Sequence, residues 1–322
     1  MSVQSREASH YLEAAEQAVR TTAGVAALDA LGWWDLLAEL EDPAMRAAMF
    51  SLFRAQGRGL GSSPALGALL AQPYLSSTDL TPGSVVATVT HPSAEREVQI
   101  VVGDIGDRHL LVDVPGKGAA VVEAEHLVLR PVAVPGRLAL YEVNADLGRA
   151  TLWIHEQQAS TARVRSAYLG RVAIALEILG AAESVVALAI DYAGQREQFA
   201  KPIGTFQAIR HILSWASTDC VALENVAQQA VALAAAPPAR YDEVAKALAG
   251  RNGRRACERA LQVFGGIGFT AEHEHHHFHG RVLALDTFLG TSADLTHELG
   301  SWQRTERVDP GYPAAVLLPN AL

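Results

Sequence analysis

The 322-residue sequence is poor in cysteine, in lysine and, over one long stretch, in aromatic residues. Its two cysteines, Cys220 and Cys257, cannot build a disulfide framework. Cys220 falls at an apolar position of a predicted helix, which makes it a buried, inert thiol. Only three lysines occur (Lys117, Lys201 and Lys246), and 26 Lys+Arg against 35 Asp+Glu leave a net charge of -9. A nucleic-acid platform needs clustered positive charge, so that class is excluded. No Phe, Trp or Tyr stands between Tyr74 and Tyr141. The most apolar run, Val172 to Ile190, carries Glu177 and Glu183, so it reads as a core helix and not as a membrane span. The opening MSVQSREASHYLEAAEQAV is charged early and lacks the apolar stretch of a signal peptide. Together these absences predict a soluble, reduced, cytoplasmic protein with no nucleic-acid or membrane partner.

What is present is a three-part texture. Hydrophobic residues make up 49% and charged residues 19%, enough to fill a sizeable core, and at roughly 150 residues per domain the length suggests two or three domains. Residues 1–80 are Ala- and Leu-rich with helical spacing, broken near Gly32, at Asp42-Pro43 and through Gly57–Pro64. Gly57, Gly59 and Gly61 follow no strand and read as loop. Residues 81–150 carry short β-branched runs (Val85–Thr90, Val98–Val102, Leu110–Val114, Leu127–Leu129, Leu138–Val143), which predict a small, mostly antiparallel β unit. Residues 151–322 are helical again. Ala162–Tyr192 is apolar almost all round, as in a helix surrounded by others. Thr205 is placed as the N-cap of a helix running through Phe206, Ile209, Leu213, Ala216 and Cys220 to Pro237-Pro238. A third helix ends at Gly265-Gly266, Thr270 can cap a fourth, a last one follows Thr291, and the tail beyond Asp309 reads as irregular. The fold class is mainly α with a small β domain: a helical N-domain, a central β unit and a C-terminal bundle of four or five helices.

Three constellations could carry chemistry. Arg196-Glu197-Gln198-Phe199-Ala200-Lys201-Pro202-Ile203-Gly204-Thr205-Phe206-Gln207 places a guanidinium, an amide and two rings beside a helix start, where unpaired N–H groups favour an anion. On composition alone it reads first as a helix–helix connection with a surface Arg and two core Phe residues. Gln262-Val263-Phe264-Gly265-Gly266-Ile267-Gly268-Phe269 has three glycines in four positions, which allow close approach of a backbone or a diphosphate, or simply end a helix. Glu272-His273-Glu274-His275-His276-His277-Phe278-His279 puts His273 and His277 at i, i+4, but the HExxH order is absent and no cysteine is near. It reads as a structural or solvated histidine face, with no metal site.

Taken together, the first two constellations resemble the acyl-CoA dehydrogenase family. Arg196–Gln207 is similar to its R-x-Q-F-G-x-x-I-x-x-F-Q segment and Gln262–Phe269 to its Q-x-x-G-G-x-G-F segment. Phe288-Leu289-Gly290-Thr291 stands where the family has aromatic-Glu-Gly-Thr. The resemblance covers about Ala162 to Leu299 and implies an FAD lodged between subunits. It would place Arg196 on the pyrophosphate, with Phe199 and Gln207 near the ADP moiety. Gln262, Gly265 and Gly266 would approach the same moiety across the interface, and Thr291 would close over the cofactor of its own subunit. The stretch from Gly268 through Arg281 is similar to the family's G-F-T-x-E-H helix start, which weakens the metal reading further.

The departures from the family are equally specific. Its catalytic Glu is Leu289 here, and the alternative position, on the first bundle helix, is Gly170; neither can remove a proton. Glu177, two turns and roughly 10 Å further along that helix, is a weak candidate base, and a buried structural Glu is the competing reading. Thr81-Pro82-Gly83-Ser84 is at most a remnant of the Thr-Glu-Pro and Gly-Ser-Asp pattern, and the Trp beside the flavin ring has no counterpart. Such shortened members resemble the smaller subunits of heteromeric acyl-CoA dehydrogenases of actinobacterial steroid degradation. The implied partners are an acyl-CoA substrate, a longer acyl-CoA dehydrogenase-like subunit in an α2β2 assembly, and an electron-transfer flavoprotein or similar acceptor. A flavin-free structural paralogue and a self-sufficient enzyme with a relocated base stand beside that reading.

Overall fold

The computed structural model describes residues 3–22, 24–76, 78–92 and 97–306; the tail expected to be irregular lies outside them. Five helices open the chain: α1 (Val3–Thr21), α2 (Gly24–Ala30), α3 (Trp33–Ala38), α4 (Pro43–Gly59) and α5 (Ala65–Leu75). Eight strands follow: β1 (Val85–Ala87), β2 (Val89–Pro92), β3 (Glu97–Val102), β4 (His109–Val114), β5 (Gly118–Val122), β6 (Leu127–Val132), β7 (Leu140–Ala145) and β8 (Leu152–His155). Then come α6 (Glu156–Gln195), a short hairpin of β9 (Glu197–Gln198) and β10 (Lys201–Pro202), α7 (Gln207–Ala232), α8 (Tyr241–Phe264), α9 (His275–Asp286) and α10 (Ser292–Glu306).

The β unit is two four-stranded sheets, ordered β1-β4-β5-β8 and β2-β3-β7-β6, antiparallel throughout except for the β1–β4 pair. Strands β5 and β8 were not anticipated. Gly118-Ala119-Ala120 lacks β-branched residues, and β8 follows a tight turn and is held by pairing to β5. That pairing carries the β unit to His155, beyond the boundary expected at residue 150.

Helix α6 is the axis of the helical part. It is long and apolar enough to cross a membrane by composition, yet 72% of its most apolar window is buried inside the protein. Helix α4 crosses it at backbone contact. A Cβ at Gly57 would collide with the Glu177 carbonyl oxygen, and one at Gly180 with the Arg54 carbonyl oxygen. Gly57 and Gly59 belong to a helix and not to a loop: at Gly57 the missing side chain lets α4 and α6 close up, and at Gly59 it makes room for Val19 of α1. Ion pairs flank the crossing, with Arg54 Nε donating to Glu183 Oε2 at 3.0 Å and Arg58 Nε at 2.9 Å. Asp42 caps α4 as expected, its Oδ1 accepting from the Ala44 and Met45 N–H groups at 2.8 and 3.0 Å.

Two expected caps are corrected. Thr205 sits in a single 3-10 turn and donates to the Pro202 carbonyl, leaving Phe206 at the start of α7. Thr270 likewise donates to the Ile267 carbonyl, and α9 starts only at His275. In both places a hydroxyl that could cap closes the preceding turn instead. Both cysteines are buried and free, and burial pushes the Cys220 thiol up to about 12.

Candidate functional site

Helix α6 ends at Arg196, and the chain turns back through the β9–β10 hairpin. Its two central residues, Phe199 and Ala200, both have left-handed backbones (φ 53° and 62°), a geometry that Asn-Gly pairs adopt readily and bulky residues do not. The turn holds the Phe199 ring 87% exposed, edge-on to Phe206 at 6.1 Å. Arg196 is exposed, and its guanidinium makes no ion pair among the described residues. Gln207, the first residue of α7, is exposed beside the free N–H groups of that helix.

The glycine turn lies against this loop. Arg196, Gln198, Ile203 and Tyr192 line a cleft of about 450 Å³ together with Val263, Phe264, Gly266 and Ile267. Gly265 has φ 64° and ψ −139°, and a Cβ built on Gly265 or Gly266 meets no atom within 4 Å. The glycines thus leave open space in front of a main-chain turn, with one free cation across from it. That arrangement fits a diphosphate and a planar group. Gln262, on the last turn of α8, is exposed next to the cleft. Two predicted residues, Arg196 and Gly266, therefore meet in one cleft of a single chain. Tyr192, Phe264 and Ile203 complete its apolar wall and were not singled out as binding residues, although the last two sit inside the quoted motifs.

The second cluster lies far from the first. From Gly170 to Arg196 along α6 is about 39 Å at 1.5 Å per residue. Here the two positions that lack a base face one another. A Cβ on Gly170 would lie 2.5 Å from Leu289 Cδ1 and 2.5 Å from Leu70 Cδ2, a contact that real Cβ atoms do not make. The tips of two leucine side chains stand where a side chain at this position would begin. Leu70 comes from α5, and nothing in its sequence context marks it. The loop that presents Leu289 is firmly held although the residue is inert. Leu289 is left-handed (φ 56°), Arg171 Nε donates to its carbonyl at 2.9 Å, and the Arg171 Nη1 binds Asp242 at 2.8 Å. The buried Lys246 ammonium donates to the carbonyls of Asp286 and Gly290, both at 3.0 Å. Thr291 caps α10: its hydroxyl donates to Asp294 Oδ2 at 2.7 Å and accepts from the Asp294 N–H at 3.1 Å.

Glu177 is buried between α4 and α9. Its Oε1 accepts from Arg281 Nε at 2.9 Å and Nη2 at 2.5 Å, and Arg281 also donates to the carbonyls of Gly136 and Gly61. Burial pushes the Glu177 carboxyl up, opposed by the guanidinium. This carboxylate joins α4, α6, α9 and the β unit through one arginine; it does not open on either cluster. The remnant Gly83-Ser84 lines a hollow of about 1030 Å³ between the N-terminal helices and the β unit. The ring next to it is Trp34, covered by Arg108 at 4.6 Å.

The histidines do not share one helical face as the i, i+4 spacing suggested, because His273 precedes α9. Among the described residues only Glu123, Glu125 and His126 approach one another as metal ligands could, on a half-buried turn.

Residues 162–299 match the family described as acyl-CoA dehydrogenase, C-terminal domain. The chain is 34% identical over 140 residues to acyl-CoA dehydrogenase FadE34 of Mycobacterium tuberculosis, a match spanning 42% of this chain but 19% of that relative. It is 27% identical over 256 residues to acyl-CoA dehydrogenase IpdE2 of the same organism, spanning 76% of this chain and 74% of IpdE2. Among solved structures, a variant of the Tcur3481-Tcur3483 steroid ACAD superposes with a TM-score of 0.76 at 20% identity, covering 95% of this chain and 99% of that one. The ChsE4-ChsE5 complex from Mycobacterium tuberculosis gives 0.73 at 18% identity, covering 95% and 98%. Residues 162–299 therefore match the acyl-CoA dehydrogenase C-terminal domain, and the chain shares the fold of these solved structures over nearly its whole length.

Proposed function

We propose that this chain is the base-less subunit of a heteromeric, α2β2, FAD-dependent acyl-CoA dehydrogenase, and that it completes the cofactor site of a longer relative. The observation that carries this reading is the contrast between two clusters on one helix. The Gly170–Leu289 contact is closed by leucines, while the Arg196–Gly266 cleft is open, cationic and glycine-lined. Bound FAD supplies a hydride acceptor for α,β-desaturation of an acyl-CoA thioester. This chain contributes binding: Arg196 neutralises the pyrophosphate, Gly265 and Gly266 let it approach the main chain, and Phe199, Gln207 and Gln262 pack around the ADP half. The proton from the acyl α-carbon goes to a carboxylate of the partner. Similarity to a protein described as a steroid ACAD supports a bulky, steroid-derived acyl group, with electrons passing to an electron-transfer flavoprotein or similar acceptor.

Arg196→Ala in the assembled complex tests the reading. Loss of a charge-assisted hydrogen bond costs about 1.5–3 kcal/mol of cofactor affinity, so the variant complex loses flavin and turnover together. Unchanged flavin content and turnover would make the chain a flavin-free structural paralogue.

A further inference from the structure

The histidine stretch, which the proposed cofactor role leaves unused, is packed against the glycine turn. The His273 ring lies 4.1 Å from the Phe264 ring, centroid to centroid, and His275 lies 5.9 Å from it. Phe264 in turn meets Tyr192 edge-on at 5.6 Å, and both rings line the cleft with Arg196 and Gly266. The main chain is tied as well, since the His273 N–H donates to the Thr270 carbonyl at 3.4 Å, at the end of the turn.

Three hydrogen bonds fix the tautomers. The His275 N–H donates to His273 Nδ1 at 3.1 Å, so that nitrogen carries no proton and His273 is neutral. His275 Nε2 lies 2.8 Å from the Cys257 carbonyl and His276 Nδ1 lies 2.7 Å from the His273 carbonyl; a carbonyl only accepts, so both nitrogens are protonated. His279 Nε2 is buried and finds no hydrogen-bond partner among the described residues. A proton added at His273 Nδ1 would set two N–H groups against each other and break the bond to His275.

We propose that neutral His273 is the positioning residue of the Arg196–Gly266 cleft: it holds the glycine turn through Phe264 and the His275 N–H, and its protonation releases the turn and weakens nucleotide binding. The proposal rests on the nucleotide role of that cleft. The groups facing the stretch are Glu274 and His276 on its own segment, Glu258, Arg254 and the Cys257 carbonyl on α8, and Arg137 from the β unit facing His277. Burial depresses the basicity of His273, His275 and His279 in this setting, so neutral rings are the resting state near pH 7.

The test compares the flavin-stripped complex of this chain and its longer partner with the same complex carrying His273→Asn, whose Oδ1 can accept the His275 N–H but cannot be protonated there. The readouts are ADP titration and amide hydrogen exchange of residues 265–270, from pH 8 to 5.5. The wild type is expected to lose threefold or more in ADP affinity and to lose amide protection below pH 6.5. The variant keeps the accepted hydrogen bond but loses the ring contact to Phe264, so its pH 8 affinity is lower, while its acid losses are clearly smaller than those of the wild type, the remainder belonging to His275, His277 and His279; titration of ADP itself is common to both proteins. Amide protection that is flat with pH in the wild type, or the same acid loss in His273→Asn, overturns the proposal. Absence of ADP binding at pH 8 in that complex refutes the cleft's nucleotide role instead, and the exchange data then decide by themselves whether His273 holds the turn.

Discussion

Glu177 is the place where a structural and a catalytic reading give opposite results. Both partners of the Glu177–Arg281 pair are buried, with side chains 5% and 0% exposed. Removing one member of a buried pair leaves an uncompensated charge and costs about 3–5 kcal/mol. Glu177→Gln keeps an oxygen facing Arg281 Nε, which puts it at the lower end, about 3 kcal/mol. At about 2 °C per kcal/mol for a large chain, thermal unfolding should fall by roughly 6 °C. Glu177→Leu, with no acceptor, should cost more. Scanning calorimetry of the purified chain gives the stability, and turnover of the folded complex is measured well below the variant's melting point. Turnover should persist there in Glu177→Gln. A melting temperature within 1 °C of wild type combined with a hundredfold loss of turnover would refute the reasoning and make Glu177 a relocated base.

Further outcomes follow from particular contacts. Ala200→Gly relieves a left-handed backbone that costs an L-residue roughly 1–2 kcal/mol, offset by about 0.4–1 kcal/mol of added unfolded-state entropy, so the net outcome is a small rise in melting temperature. Gly170→Glu displaces the tips of Leu289 and Leu70 and buries a carboxylate, so the melting temperature should fall while the chain still folds, without any gain of activity. Acidification should destabilise the chain. His273, His275, His277 and His279 all have folded values below the ordinary 6.5, so their contribution is fully present above pH 6.5 and is lost as pH falls from 6.5 towards the folded values. Melting temperatures between pH 8 and 5 check the sign.

The long helices were legible because their apolar spacing and terminal signals are local. Gly265 ends α8 as read, and Thr291 opens α10. Strand β5 was missed because alanine and glycine give no β signal; it exists through its neighbours β4 and β8. Gly57 was misread because its reason, contact with Glu177 on α6, lies 120 residues away. At the site, motif order exposed Arg196 and the glycine turn. The closure around Gly170 by Leu70 could not be seen, since an ordinary apolar helix position carries no sign of what it will face. The tautomers of the histidine stretch likewise depend on packing that spacing does not encode.

Flavin stoichiometry bears most directly on the central claim that this chain grips a nucleotide held mainly by another polypeptide. Purified by itself, the chain should contain little FAD, and co-purified with a longer relative it should contain about one FAD per pair. One tightly bound FAD per chain in the isolated protein, with acyl-CoA dehydrogenase activity, would contradict the account.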